Sequence, residues 1–546
     1  MGQGMTSSQV RGAYSPPMIV STIGDAFARA VARDPDGIAL VSRHQGISWS
    51  WSEFGRRVDA VARGLLSRGL APGDRVGIWA PNCAEWAIIQ FATARAGLVL
   101  VTINPAYRTA ELEYALSKVE CAAIILAPSH KSSDYVAIMR ELPEARLPEL
   151  RLRITTGEAE HAGFLPFAAL ETGGDAPLPT DIRPDDPVNI QFTSGTTGHP
   201  KGATLSHRNI LNNGYFVGDR IGLKPGEKVC IPVPLYHCFG MVMGNLACLT
   251  HGATIVYPDA AFDPLRTLET VAEERCAALY GVPTMFIAML NYPEFERFDL
   301  SSLRTGIMAG SPCPIATMRE VIGRMHMREV TIAYGMTETS PVSLQSGPDD
   351  TLEKRVSTVG RIQPHLEVKI VDGDGRIVPR GQAGELCTRG YSVMLGYWDD
   401  AARTAEAVDR AGWMHTGDLA TMDDEGYCNI VGRIKDMVIR GGENVYPREI
   451  EEFLYTHAAV QDVQVVGVPD RKYGEELCAW VILKPGAAAT EDDLRAFCRG
   501  QIAHYKIPRY IRFVDAFPTT VTGKVQKFLM RETMIADLGL AVEKTA

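Results

Sequence analysis

The chain has 546 residues, of which 46% are hydrophobic, so it is too long for one compact domain and rich enough to bury a large core. Its net charge is −10 and its lysines and arginines are dispersed, which excludes the basic stripe of a nucleic-acid binder. Eleven cysteines without any Cys-x-x-Cys spacing argue for reduced thiols in a cytoplasmic compartment.

Residues 1–18 are polar, carry Pro16-Pro17 and read as a loose tail with no signal-peptide pattern. From Ile19 the pattern turns helical, with Val58, Val61, Leu65 and Leu66 at helical spacing. Arg75–Trp79 reads as a buried strand, Glu85–Ala96 as a helix, Leu98–Ile103 as a strand, Glu111–Lys118 as a helix and Ala122–Leu126 as a strand. Such alternation predicts a parallel α/β sheet. Val188–Phe192 resumes it as a strand that runs into a Gly-rich loop, with helix from Asn209. No Asp, Glu, Lys or Arg occurs between Lys228 and Asp259, but Pro232, Pro234, Gly240 and Gly244 interrupt this stretch, so it predicts buried elements rather than a membrane span. After about residue 355 short strands and tight turns dominate. A last unit with helix at Glu449–Leu454 and Asp492–Gln501, and strand at Val460–Val468 and Cys478–Leu483, follows residue 432. The predicted fold is α/β: a tail (1–18), a large N-terminal domain of parallel α/β subdomains (19–432) with a β-rich subdomain at about 355–432, and a small mobile α+β domain (433–546).

The densest chemistry lies in Thr193-Ser194-Gly195-Thr196-Thr197-Gly198-His199-Pro200-Lys201-Gly202-Ala203. Hydroxyl donors, exposed backbone N–H groups and one fixed cation in a single loop suit a polyphosphate. It is not a Walker A loop, because Gly202 rather than Ser or Thr follows the lysine. Four other segments stand out: Tyr334-Gly335-Met336-Thr337-Glu338, Thr416-Gly417-Asp418, Gly432-Arg433 through Asn444, and Pro518 to Lys524. Cys238 beside His237 reads as a buried inert thiol rather than a nucleophile.

In this order and over residues 20–540, these motifs resemble the adenylate-forming superfamily. Asn104-Pro105-Ala106-Tyr107, Gly390 through Trp398 and Lys435 through Pro447 are most similar to its fatty acyl-CoA synthetase branch, in particular the medium-chain members. The resemblance implies ATP, Mg²⁺ and coenzyme A as ligands and a fatty acid as substrate, with AMP and pyrophosphate released. It implies that Thr193, Ser194, Gly195, Thr196, Thr197, Gly198 and Lys201 hold the β- and γ-phosphates. Glu338 would ligate Mg²⁺, Thr337 would bond the α-phosphate, and Tyr334 would stack on adenine opposite Gly310, Ser311 and Pro312. Asp418 would accept the ribose hydroxyls with Arg433 in support, and Lys524 would bridge the substrate carboxylate and the α-phosphate. For thioester formation it implies a rotation about Lys435 that brings Gly441, Gly442 and Glu443 to the pantetheine tunnel, beside His237. Family position also implies an acyl pocket walled by Tyr236, Val242, Met243, Met285, Phe286 and Met308.

Three alternatives stay open at this level: an aryl or branched acid as substrate, a carrier protein as acceptor, and a non-catalytic nucleotide-binding protein. A homodimer is a further expectation, with no nucleic acid and no membrane-spanning segment.

Overall fold

The computed structural model describes residues 7–540 apart from 158, 173, 194–199, 312, 441–442, 500 and 520–524. Among the described residues the backbone builds a nine-stranded sheet, an eight-stranded sheet and two five-stranded sheets. The architecture is α/β, with a large N-terminal part and a smaller C-terminal one.

Continuous apolar runs explain the parallel strands. Val76, Ile78 and Trp79 in one strand, and Cys121–Leu126 in its neighbour, are buried, as expected where helices cover both faces of a sheet. The helix Ala84–Arg95 is buried almost all round. Its Phe91 stacks on Phe27 of the helix Ile23–Arg33, 4.8 Å between ring centres, and Phe54 of the helix Trp51–Leu66 meets the pair edge-on. Thr22 and Ser50 cap the first turns of the two outer helices by accepting from Asp25 and Glu53 backbone N–H groups.

In the eight-stranded sheet Pro187–Thr193 pairs parallel with Val99–Thr102. The sequence pattern leads from the Gly-rich loop directly towards helix; instead Lys201–Ser206 returns as an antiparallel strand beside Pro187–Thr193 before the helix His207–Arg220 begins. The two strands that flank the loop are therefore hairpin partners. Lys201–Ser206 also pairs with Gly396–Tyr397, reaching almost 200 residues along the chain. The proposed loose tail is corrected as well. Gln9–Arg11 forms an edge strand against Leu366–Val371, and His365 Nε2 donates to Pro16 O at 2.8 Å. A sheet edge pairs through backbone groups, so a polar stretch with no apolar alternation can still fill it.

One apolar cluster runs from Ile23 to Cys428. Two further clusters, Val438 to Ile511 and Val466 to Met534, are built on both faces of the C-terminal sheet. The core is thus interrupted between Cys428 and Val438, the stretch that contains Lys435.

Candidate active site

The hairpin holds the two ends of the Gly-rich loop face to face, with Thr193 and Lys201 as strand partners. Ser194, Gly195, Thr196, Thr197 and Gly198 lie outside the described residues. Tyr114 Oη donates to Pro200 O at 3.0 Å and steadies the outgoing limb. Lys201 Nζ lies 4.3 Å from the ring centre of Tyr397 and donates to its hydroxyl at 3.0 Å. Tyr397 Oη in turn donates to Glu338 Oε1 at 2.8 Å, and Thr193 Oγ1 donates to the same oxygen at 3.2 Å. Four residues from four segments thereby form one chain from cation to carboxylate. Burial first, and Glu338 second, push the Tyr397 hydroxyl well above its ordinary pKa, so it stays a donor.

Glu338 sits with Thr337 in the single turn Thr337–Thr339 and is only 5% exposed. Its backbone carbonyl accepts from Met394 N at 2.9 Å, and Ser340 Oγ donates to Ser392 O at 2.6 Å. Trp398 N and Leu395 N donate to Gly202 O and Thr204 O. The 390–398 segment is therefore the clamp between the hairpin and the Glu338 turn. Gly335, just before that turn, has no room for a side chain: a Cβ there would stand 1.7 Å from Pro341 O. Both donors to Glu338 use Oε1, and Oε2 accepts no hydrogen bond from the described residues. A nearly buried carboxylate with one uncommitted oxygen fits a hard cation such as Mg²⁺.

Tyr334 is the last residue but one of the strand Glu329–Gly335, and its hydroxyl donates to Asp418 Oδ2 at 2.6 Å. Asp418 and Arg433 are strand partners, and Arg433 Nε stands 3.2 Å from Asp418 Oδ1. The site thus joins the nine-stranded sheet to the five-stranded one. Gly310 and Ser311 follow the strand Thr305–Ala309, next in the sheet to the strand that carries Tyr334, and Pro312 lies outside the described residues.

His237 precedes a π-helical segment, Phe239–Leu246, and its Nδ1 accepts from Phe239 N at 3.2 Å. Cys238 is buried and its thiol donates to Gln191 Oε1 at 3.2 Å, which fits the inert reading. Val242 and Met243 lie on the π-helical segment, Met285 and Phe286 on the helix Pro283–Leu290, and Met308 on the strand Thr305–Ala309. Met308 pairs with Gly281, the Phe286 ring closes on Gly281, and Phe239 of the π-helical segment stacks near Tyr280. A π-helix displaces its carbonyls from regular bonding. Here Gln90 Nε2 donates to Met241 O at 3.0 Å, Asn245 Nδ2 donates to Gln90 Oε1 at 2.7 Å, and Tyr257 Oη donates to Asn245 Oδ1 at 2.8 Å, all within the core. The Tyr236 hydroxyl is buried with no partner among the described residues, and burial raises its pKa.

Lys435 is exposed, Glu443 is exposed on the short strand Glu443–Val445, and Lys524, Gly441 and Gly442 lie outside the described residues. Tyr397 was not singled out from sequence as a site residue. Its only signal was its place in the Gly390–Trp398 stretch.

A polar site that joins two sheets, followed by a separate small α+β unit, fits an adenylate-forming enzyme. The AMP-binding enzyme model matches residues 27–398 and the AMP-binding enzyme C-terminal domain model matches residues 449–524, and the chain belongs to the AMP-binding enzyme family. It is 48% identical to the protein named acyl-CoA synthetase YngI of Bacillus subtilis, over 96% of this chain and 99% of that one. It is 46% identical to the mitochondrial medium-chain acyl-CoA ligase ACSF2 of Danio rerio, over 98% of this chain and 92% of that one. Among solved structures it resembles ATP-bound MatB of Rhodopseudomonas palustris, with 31% identity, a TM-score of 0.84, and 94% and 99% of the two chains covered.

Proposed function

We propose that this enzyme joins a fatty acid, of medium chain length, to coenzyme A through an acyl-adenylate, releasing AMP and pyrophosphate. A carboxylate cannot be attacked directly by a thiol, because oxide would have to leave. In the first half-reaction the acid's oxygen attacks the α-phosphorus of ATP, the bond to the β-phosphate oxygen breaks, and pyrophosphate departs. In the second, the CoA sulfur attacks the acyl carbonyl, the thiol proton is lost, and AMP leaves.

The observation that carries the reading is the hydrogen-bonded chain Lys201–Tyr397–Glu338–Thr193 at the mouth of the Gly-rich loop. In this reading the cation would meet the phosphate charge as it builds and the carboxylate would take Mg²⁺. Bound there, Mg²⁺ would neutralise phosphate charge. Thr337 bonds the α-phosphate, Tyr334 and the Gly310–Pro312 turn enclose adenine, and Asp418 with Arg433 holds the ribose. Lys524 pairs the two anions that must meet. The C-terminal domain then turns about Lys435, and Gly441, Gly442 and Glu443 line the approach of pantetheine to His237. Tyr236, Val242, Met243, Met285, Phe286 and Met308 enclose the alkyl chain. The unpartnered Tyr236 hydroxyl supports a place for that residue on the substrate path, since a buried donor left unpaired costs about 1–3 kcal/mol.

No described helix is long and apolar enough to cross a membrane. The cytoplasmic placement rests instead on the cysteines, whose spacing fits reduced thiols. A panel of straight-chain, branched and aryl acids, offered with ATP and either free CoA or a carrier protein, tests the assignment. Thioester release peaking with C6–C12 straight chains and free CoA is the expected result. A peak with aryl acids, or transfer to carrier protein alone, overturns it.

A further inference from the structure

Asp418 stands on an irregular strand. Gly384–Gly390 and Met414–Met422 pair antiparallel, with Glu385 opposite Leu419 and Cys387 opposite His415. Three residues, Thr416, Gly417 and Asp418, therefore face the single residue Leu386. A bulge of this kind re-aims a side chain and leaves backbone groups without ladder partners. Gly417 shows the cost, with φ at +70°, a conformation that side-chain-bearing residues rarely adopt.

Side chains satisfy this bulge. Glu385 Oε1 accepts from Gly417 N at 3.0 Å, and Glu385 Oε2 pairs with His415 Nδ1 at 2.9 Å. The far nitrogen of His415 stands 3.8 Å from Asp409 Oδ2. Asp409 is itself fixed by N–H groups of Ala411 and Trp413. Thr416 Oγ1 donates to Leu386 O at 2.7 Å and accepts from Asp418 N at 3.1 Å, and Gly417 O accepts from Ile434 N at 3.0 Å. The Gly417 peptide is thus gripped on both sides, and the next residue is aimed at Tyr334 and Arg433.

We propose that Glu385, oriented by His415, is a positioning residue for nucleotide binding: it sets the Asp418 carboxylate for the ribose hydroxyls by capturing the Gly417 N–H. This rests on the reading of Asp418 as the ribose acceptor. Glu385 touches neither nucleotide nor acid and acts only through the peptide it holds.

The test is the ratio of dissociation constants for AMP and 2′,3′-dideoxy-AMP, measured by calorimetry on the full chain. That ratio isolates the ribose hydroxyls, so a general loss of stability does not move it. Asp418→Asn is expected to collapse the preference for AMP. Glu385→Met, similar in size but with no acceptor, is expected to lower it about five-fold. Glu385→Gln keeps a carbonyl oxygen for Gly417 and is expected to restore it to within about two-fold of the parent. Should Glu385→Met not fold, His415→Leu, which frees the carboxylate to swing, is expected to lower the ratio about three-fold. A collapse in Asp418→Asn with the parent's ratio in Glu385→Met or His415→Leu overturns the positioning role alone. A Glu385→Gln ratio as low as that of Glu385→Met also overturns it. An unchanged ratio in Asp418→Asn overturns the ribose reading beneath it.

Discussion

Tyr334 Oη donates to Asp418 Oδ2 at 2.6 Å, joining the end of the nine-stranded sheet to the bulge of the β-rich one. Burial, and then the Asp418 carboxylate, hold the Tyr334 hydroxyl well above its ordinary pKa, so it donates throughout the physiological range. Tyr334→Phe keeps the ring that would cover adenine and removes only this bond. The expected outcome is a rise of about three- to ten-fold in KM for ATP, the worth of one hydrogen bond to a charged group, with kcat changed less. Initial rates at saturating acid and CoA check it.

Tyr397→Phe breaks the chain between Lys201 and Glu338 at its centre. The ring remains under the lysine, so the cation–π contact survives. Adenylation kcat/KM is expected to fall about ten-fold, with a stronger dependence on Mg²⁺ concentration because Glu338 loses the donor that fixes Oε1. Pyrophosphate exchange at several Mg²⁺ concentrations reads both effects.

The contrast between these tyrosines shows what the sequence could and could not disclose. Glu338 and Asp418 drew notice only through the joint occurrence of their motifs in chain order, because a carboxylate in a tight turn has ordinary structural uses by itself. The alternation of apolar runs disclosed the parallel sheets more directly, since only doubly covered strands tolerate runs such as Cys121–Leu126. Tyr397 sits in Leu395-Gly396-Tyr397-Trp398 and has the signature of a core residue. Its partners are 196 and 59 positions away, and only the pairing of Gly396–Tyr397 with Lys201–Ser206 brings them together. Glu385 and His415 were hidden likewise, because their task is to fill a bulge that no local pattern announces. The strand Lys201–Ser206 was missed because Gly202 and Thr204 weaken its alternation, while long-range pairing on both edges supplies its stability.

Asn245→Leu tests the polar support of the π-helical segment. The substitution leaves Gln90 Oε1 and Tyr257 Oη without partners in a site that is fully buried. A loss of about 2–4 kcal/mol is expected, read as a lower denaturant midpoint. Tyr257→Phe together with Asn245→Leu recovers part of it, since one orphaned hydroxyl is then removed.

The two parts of the chain are expected to answer pH in opposite directions. His207 is buried with Nδ1 accepting from Ile23 N at 3.1 Å, and burial lowers its pKa to about 4. Its folded value lies below the unfolded one of about 6.5, so the stability it allows is present above pH 6.5 and is lost as pH falls towards 4, by up to about 3 kcal/mol. Asp462 in the C-terminal domain accepts from Tyr455 Oη and Val463 N, and burial raises its pKa to about 6. Its folded value lies above the unfolded one of about 3.9, so its contribution is present below pH 4 and is lost as pH rises through 6, again by up to about 3 kcal/mol. Denaturant midpoints between pH 4 and 7.5 check both: His207→Gln is expected to flatten the acid side of the N-terminal transition, and Asp462→Asn to raise the C-terminal one at pH 7.

The most direct test separates the two half-reactions. With octanoate present, the enzyme is expected to exchange labelled pyrophosphate into ATP; without acid it is not. Lys524→Ala is expected to abolish that exchange while still converting supplied octanoyl-AMP and CoA to octanoyl-CoA. Exchange that runs equally well without acid, or loss of both half-reactions together in Lys524→Ala, would contradict the account.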